Sequence, residues 1–142
     1  MSSIVRFFVA SPTDAAGSLA HGPGASLRSV DLGNFDAEEA LLDWEAHLTG
    51  STFDDLLDRN IPEILAEEED GVIVFLLSAD LLGKLASLSD TQIDEMANWW
   101  SGKKAQDGFP IDVSVARQIL QGLIRLIREE RSPEQHVYCW TA

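Results

Sequence analysis

The chain has 142 residues, of which 24 are acidic and 10 are basic, so its formal net charge is -14 at pH 7. A negative field of this size repels phosphate backbones and anionic lipids, because both are bound through Lys and Arg side chains. Composition therefore argues against nucleic-acid and membrane binding, and favours either plain solubility or a basic protein partner.

The first predicted element is a strand over residues 4–10, where β-branched and aromatic side chains are followed by the turn residues Pro12 and Asp14. The Gly- and Pro-rich stretch that follows Gly17 is expected to be a loop. A second, short strand is predicted over residues 27–32, on a mixed alternating pattern.

Two helices are predicted next. Asp36 and Glu39 have the spacing of a capping box, and apolar residues then recur at helical spacing as far as Gly50, which suits a left-handed C-terminal cap. Thr52 is expected to begin a shorter helix, and Pro62 to open a further helical turn.

The run from Val72 to Ser78 contains no charged side chain. Such a run is too long for a half-exposed strand, which would alternate, and too short for a buried helix. We therefore predict a strand over residues 72–78 that is covered on both faces and central in the sheet. The acidic residues 67–70 before it are expected to form a solvated loop or the end of the preceding helix.

Three helices and one strand are predicted for the remaining chain. One helix begins after Ser78, a second begins after Ser89, and the longest covers residues 112–130. A loop is expected between the second and third, over residues 102–110. The last strand covers residues 136–141 and directs alternate side chains to opposite faces.

Together these elements predict a single α+β domain over residues 1–142, in which about five helices pack on a small mixed sheet. The length suits one hydrophobic core. Because the first and last strands cannot be stable alone, we expect them to join one sheet and to bring the two ends of the chain close together.

The sequence contains no diagnostic catalytic or binding motif. His21, His47 and His136 lack the closely spaced partners of a metal site, so neither a metal nor a cofactor is predicted. The single cysteine, Cys139, cannot form an intrachain disulfide, and the apolar stretch near the N-terminus is too short to be a secretory signal. We therefore expect a cytoplasmic protein.

Four residues are candidates for a protein-binding surface. Asp54, Asp55 and Asp58 cluster on one predicted helix, and Trp99 lies at the flank of the apolar stripe of another helix. Exposed tryptophans are frequent binding hot spots. The alternatives are a solvated acidic face for the aspartates and internal packing for the tryptophan.

A second candidate site is a pocket between the sheet and the longest helix. His47 has Asp43 one helical turn before it, and Arg117 and Arg125 lie on the polar side of the longest helix. These groups can bind an anion or serve a catalytic site. The alternative is that they form ion pairs with other residues of the same chain.

The chain opens with the strand MSSIVRFFVA, carries Trp44 ahead of Leu48, Thr49 and Gly50, and follows a strand with a helix that packs onto the next one. In this order of elements it resembles the uncharacterised YfbM-like bacterial family. The resemblance implies an α+β fold and no known reaction, so it assigns no site residue.

We therefore expect a small acidic cytosolic protein that binds a basic protein partner without catalysis. Immunity proteins and antitoxins have a similar composition, and their negative surfaces meet basic toxins by electrostatic steering. One alternative hypothesis is a small-ligand binder or enzyme that uses the pocket beside the longest helix. The other is a structural protein that associates with itself.

Overall fold

The computed structural model describes residues 4–142. In chain order its elements are β1 (Ile4–Ala10), α1 (Pro12–Gly17), β2 (Ser29–Asn34), α2 (Ala37–Thr49), α3 (Phe53–Asp58), β3 (Glu63–Glu67), β4 (Ile73–Leu76), α4 (Ala79–Ala86), α5 (Asp90–Gln106), α6 (Val113–Arg128) and β5 (His136–Thr141). The predicted α+β class is confirmed.

The five strands form one sheet in the order β2-β1-β5-β4-β3. Cys139 of β5 lies opposite Phe7 of β1 on one side and opposite Phe75 of β4 on the other, so β5 is the central strand. The prediction that the strand at residues 72–78 is central was wrong, because that strand is β4, second from the edge. β5 takes the centre with four consecutive buried residues, 137–140.

Every strand pairing is antiparallel, whereas the sequence led us to expect a mixed sheet. Two strands run parallel or antiparallel according to which end of the sheet the connecting segment leads back to. Hydrophobic periodicity carries no information about that path. The predicted closeness of the chain ends is confirmed, because Ile4 and Ala142 exchange two backbone hydrogen bonds.

β3 was missed by the sequence analysis, which placed a helical turn at Pro62. The Ile61–Pro62 bond is cis, and the chain enters β3 directly after it. β3 pairs with β4 as a hairpin whose turn contains Gly71 at a φ of 97°. As an edge strand it is half-exposed, so its acidic sequence lacks the apolar signal of a core strand.

Both faces of the sheet are buried, as predicted for residues 72–78. Phe7 and Phe75 lie on the face covered by α2, α4, α5 and α6, and Val74 and Tyr138 lie on the opposite face. That second face is covered by Ala15 of α1 and by the segment that leads to β2. Neighbouring residues of β4 are therefore buried on opposite sides of the sheet.

The segment that covers the second face was expected to be a turn and a loop, but residues 12–17 form the helix α1, capped by Ser11. A helix this short has too few residues to show a period. The indole nitrogen of Trp140 donates a 2.8 Å hydrogen bond to the carbonyl of Leu19. Gly22, at a φ of 79°, lies against the same indole, where a Cβ atom would crowd Arg6 at 3.3 Å.

The helices α2 and α6 lie close to their predicted bounds, and α4 and α5 begin after the predicted caps Ser78 and Ser89. Gly50 forms the left-handed cap of α2 at a φ of 74°, and the capping box of Ser89 and Gln92 is complete. α5 continues through Gly102 to Gln106, although a loop was expected from residue 102. This extension places Lys103 and Lys104 in the last turn, where cations interact favourably with the helix dipole. Among residues 4–142, no helix is long and apolar enough to cross a membrane.

Candidate functional site

The contact between α2 and α5 brings together residues that recur at four-residue intervals on each helix. Side chains four residues apart lie on one face of a helix, so each set forms a stripe. We call these six residues the α2–α5 seam: Glu39, Asp43 and His47 on α2, and Trp99, Lys103 and Asp107 on α5 and its C-terminal cap.

At one end of the seam the rings of His47 and Trp99 are stacked, with centroids 3.8 Å apart and an interplanar angle of 12°. Trp99 is partly buried and packs against the main core. Burial lowers the pKa of His47 below its ordinary value, since the charged imidazolium loses solvent. The sequence assigned these two residues to different candidate sites, and the structure places them in one contact.

In the middle of the seam the Asp43 side chain is fully buried. Among residues 4–142, neither carboxylate oxygen has a hydrogen-bond partner, and the nearest cation is the Lys103 ammonium at 3.6 Å. Burial raises the pKa of Asp43, and this effect exceeds the opposing effect of the charges on Lys103 and Lys104. Asp43 is therefore a desolvated carboxyl group whose burial is only partly offset by the charges of the two lysines.

At the other end of the seam, oxygen atoms of Glu39, Asp43 and Asp107 lie within 4.8 Å of one another. Three carboxylates at this spacing have the chemistry of a divalent-cation site. Here lysines supply the positive charge, since Lys104 donates a 2.5 Å hydrogen bond to Glu39 and Lys103 lies 3.4 Å from Asp107. The group is therefore an ion-pair network that joins α2 to the end of α5.

The sequence indicated only part of the seam. It identified Asp43, His47 and Trp99 but missed the residues beyond the expected end of α5. The available signal was the four-residue spacing from Trp99 to Lys103 and Asp107, which becomes meaningful only if the helix continues through Gly102.

Beside the seam, the helix α3 exposes apolar side chains that a packed helix ordinarily buries. Leu56 is its single buried residue, whereas Phe53 is 37% exposed and Leu57 is 53% exposed. The aspartates that were predicted to cluster on this helix are all exposed as well. We call the exposed residues of this helix the α3 surface: Phe53, Asp54, Asp55, Leu57 and Asp58.

Lys103 connects the α3 surface to the seam. Its ammonium lies 5.6 Å from the centre of the Phe53 ring, in a cation–π contact. Trp99 lies one helical turn before Lys103 on α5, so the tryptophan and the α3 surface belong to one side of the molecule. The four predicted binding residues, Trp99, Asp54, Asp55 and Asp58, therefore lie on helices that the contact between Lys103 and Phe53 joins.

The four residues of the predicted pocket are not brought together. Arg117 forms a 2.6 Å ion pair with Asp94 of α5, and Arg125 lines a separate cavity of about 460 Å³ beside α5 and α6. Asp43 and His47 lie in the seam. The space between α6 and the sheet is filled by the buried side chains of the core, which include those of Leu120 and Leu123.

Comparison of the chain with protein-family models, with curated proteins and with solved structures found no match.

Proposed function

We propose that the protein is a non-catalytic module that binds a basic protein partner through the α3 surface and the adjoining Trp99. The observation that carries the proposal is the composition of α3, where Phe53 and Leu57 are exposed among three aspartates. In protein interfaces, apolar side chains are buried at the centre of the contact, and the charged side chains around them complement the charge of the partner.

The α3 surface is held in a fixed position. Thr52 caps the helix by accepting a 3.1 Å hydrogen bond from the amide of Asp55, and the fully buried Leu56 attaches the helix to the body of the protein. A preorganised surface loses little conformational entropy when it binds. The exposed Phe53 and Leu57 can therefore serve as anchors without refolding of the helix.

The charge of the whole chain supports the same proposal. A net charge of -14 attracts a basic partner over distances of about a Debye length and speeds its encounter. The same charge disfavours nucleic acid, whose phosphates would have to be neutralised by basic residues.

The proposal includes a cytoplasmic location. Cys139 is a buried thiol in the central strand, and burial raises its pKa, so it is poorly suited to thiolate chemistry. A single unreactive thiol is in keeping with a reducing compartment.

Charge also bears on the alternative of self-association. In a symmetric dimer the same patch meets itself, so contact through α3 would oppose the aspartates of one copy to those of the other. Like charges brought together in this way cost free energy. A basic surface of a different protein has the opposite effect, and we therefore prefer a heterologous partner.

The proposal can be tested by affinity capture from native lysate followed by mass spectrometry. We expect the wild type to capture a basic protein that is released at about 0.5 M salt, where the Debye length falls to roughly 4 Å. The double variant Phe53→Ala/Leu57→Ala and the variant Trp99→Ala should each lose this protein. Val115→Ala is a matched control, because Val115 is 42% exposed on α6.

Circular dichroism of each variant separates loss of binding from loss of folding. The captured protein should then be purified and its association rate with the wild type measured as a function of salt. The proposal fails if the α3 variant captures the same proteins as the wild type, or if the association rate is insensitive to salt.

A further inference from the structure

A cavity of about 300 Å³ lies where the chain leaves α3 and enters β3, beside the end of β4 and the start of α4. It is distinct from the seam and from the α3 surface. The residues that line it carry both signs of charge, two further polar groups and two aliphatic side chains: Arg59, Asn60, Ile61, Glu63, Leu76 and Ser78.

One wall of the cavity is suited to a hydrogen-bond donor. The hydroxyl of Ser78 donates a 2.7 Å hydrogen bond to Glu45 Oε1 and accepts one of 3.1 Å from the amide of Leu81. A hydroxyl has one proton and two lone pairs, so Ser78 has already used its proton and retains one lone pair. A ligand group that meets Ser78 must therefore bring a proton of its own.

A buried carboxylate lies directly behind that wall. Glu45 is 1% exposed, and within the described chain its Oε2 atom has no hydrogen-bond partner. Burial is the main cause of a raised pKa at Glu45, and the hydrogen bond from Ser78 and the charge of Arg59 offset it only in part. A positive charge placed at Ser78 would offset the cost of this buried carboxylate, because charges interact strongly where water is excluded. Glu63, also in the cavity lining, adds a second negative charge.

Arg59 provides the opposite charge. Its side-chain contact within residues 4–142 is a long hydrogen bond of 3.5 Å from Nη2 to the hydroxyl of Ser51, and it forms no ion pair there. A guanidinium group binds a carboxylate through two parallel hydrogen bonds. The charge of Arg59 acts on Glu45 at longer range, where it lowers the pKa of that carboxyl against the effect of burial. An arginine beside a cavity that forms no direct ion pair keeps its guanidinium donors available to an anionic ligand group.

We propose that this cavity binds a small zwitterion of the α-amino-acid class. Its ammonium group donates to Ser78 in front of Glu45, and its carboxylate pairs with Arg59. A short aliphatic side chain contacts Ile61 and Leu76. This site is independent of the proposed docking of a basic protein, and either can exist without the other.

The test is a titration of the isotope-labelled protein with L-leucine, followed by amide chemical shifts in NMR spectra. We expect saturable shifts at Asn60, Leu76 and Ser78 within about 50 mM, which would detect a Kd in the millimolar range. Two analogues each remove one charge, namely 3-methylbutan-1-amine and 4-methylpentanoate. Both should bind about tenfold more weakly than leucine.

Variants locate the site. Glu45→Gln keeps an acceptor for Ser78 but removes the charge, and Arg59→Gln removes the guanidinium, so each should weaken leucine binding about tenfold. Glu63→Gln changes an exposed residue, which preserves the fold, and should weaken binding roughly threefold. Arg125→Gln, in the other cavity, should leave it unchanged.

The proposal is overturned if leucine produces no saturable shift, or if either analogue binds as tightly as leucine. It is also overturned if Glu45→Gln and Arg59→Gln, shown to be folded by their spectra, bind leucine like the wild type.

Discussion

Asp43 and Lys103 face each other across the α2–α5 seam at 3.6 Å, with the carboxylate fully buried and the ammonium partly exposed. Removing one member of a buried ion pair costs more than replacing both members, because the remaining charge loses its counter-charge and stays desolvated. We expect Lys103→Met to lower the free energy of unfolding by about 2 kcal/mol at neutral pH. The double variant Asp43→Asn/Lys103→Met should recover most of that loss, as measured by urea denaturation. Equal stability of the single and double variants would contradict a coupled pair.

Asp43 should also give the protein a defined pH dependence. Its pKa is raised in the folded state above the ordinary value of 3.8, so the folded state holds this proton more tightly than the unfolded state. The contribution of Asp43 to the free energy of unfolding is therefore fully present below pH 3.8, and it is lost as the pH rises through the pKa of the folded state. The variant Asp43→Asn has no carboxyl group to titrate at this position. Its free energy of unfolding should therefore increase relative to that of the wild type as the pH rises. A constant difference between pH 3 and 7 would contradict the raised pKa.

The stack of His47 on Trp99 predicts the opposite slope at higher pH. Burial lowers the pKa of His47 below 6.5, so the unfolded state binds the proton more tightly. The contribution to stability is present above pH 6.5 and is lost as the pH falls through the folded pKa. NMR titration of the His47 ring should show the lowered pKa, and Trp99→Ala should raise it toward 6.5 by exposing the imidazole. An unchanged pKa in that variant would show that the indole does not cause the desolvation.

The cap at the end of α2 provides a test of backbone conformation. Gly50 has a φ of 74°, and a Cβ atom there would meet nothing within 4 Å. Gly50→Ala should therefore lower the free energy of unfolding by about 1 kcal/mol, because alanine disfavours this backbone conformation and not because it contacts a neighbour. Gly50→Asn should cost less, because asparagine tolerates the left-handed region. If alanine and asparagine are equally tolerated, the helix end has shifted.

The difference in burial between β4 and the edge strand β3 can be tested with a matched pair of residues that lie opposite each other. Phe75 is 1% exposed, and its partner across the β3–β4 pairing, Ile64, is 45% exposed. Phe75→Ala should lower the free energy of unfolding by about 4 kcal/mol, whereas Ile64→Ala should change it by less than about 1 kcal/mol. Denaturant unfolding of both variants checks this, and similar losses would mean that the edge strand is more buried than described.

Most of the fold could be predicted because its signals are local. The cap at Gly50, the capping box at Ser89 and the uncharged run from Val72 were each recognised within a few residues of sequence. The order and direction of the strands could not be predicted, since they depend on contacts between β1 and β5, which are more than a hundred residues apart. The strand β3 was missed because pairing with β4 stabilises it more than its own side chains do.

The candidate site was predictable only in fragments. Asp54, Asp55 and Asp58 were found because a helical period placed them together, and all three are exposed. The exposure of Phe53 and Leu57 was not foreseen, since apolar residues at this spacing ordinarily face a core. The cavity beside α3 was also missed, because Glu45 and Ser78 meet only when α2 packs beside the start of α4.

The position of β5 has a consequence for synthesis of the chain. Ribosomes release a protein from its N-terminal side, so residues 136–141 emerge after every other strand. Until then the β1–β2 pair and the β3–β4 pair have no strand between them, and each presents an open edge beside apolar residues such as Phe8 and Val74. Such edges can pair with other nascent chains. We therefore expect a ribosome-bound chain stopped before residue 136 to be sensitive to protease and dependent on chaperones, and both properties should disappear once β5 has been released.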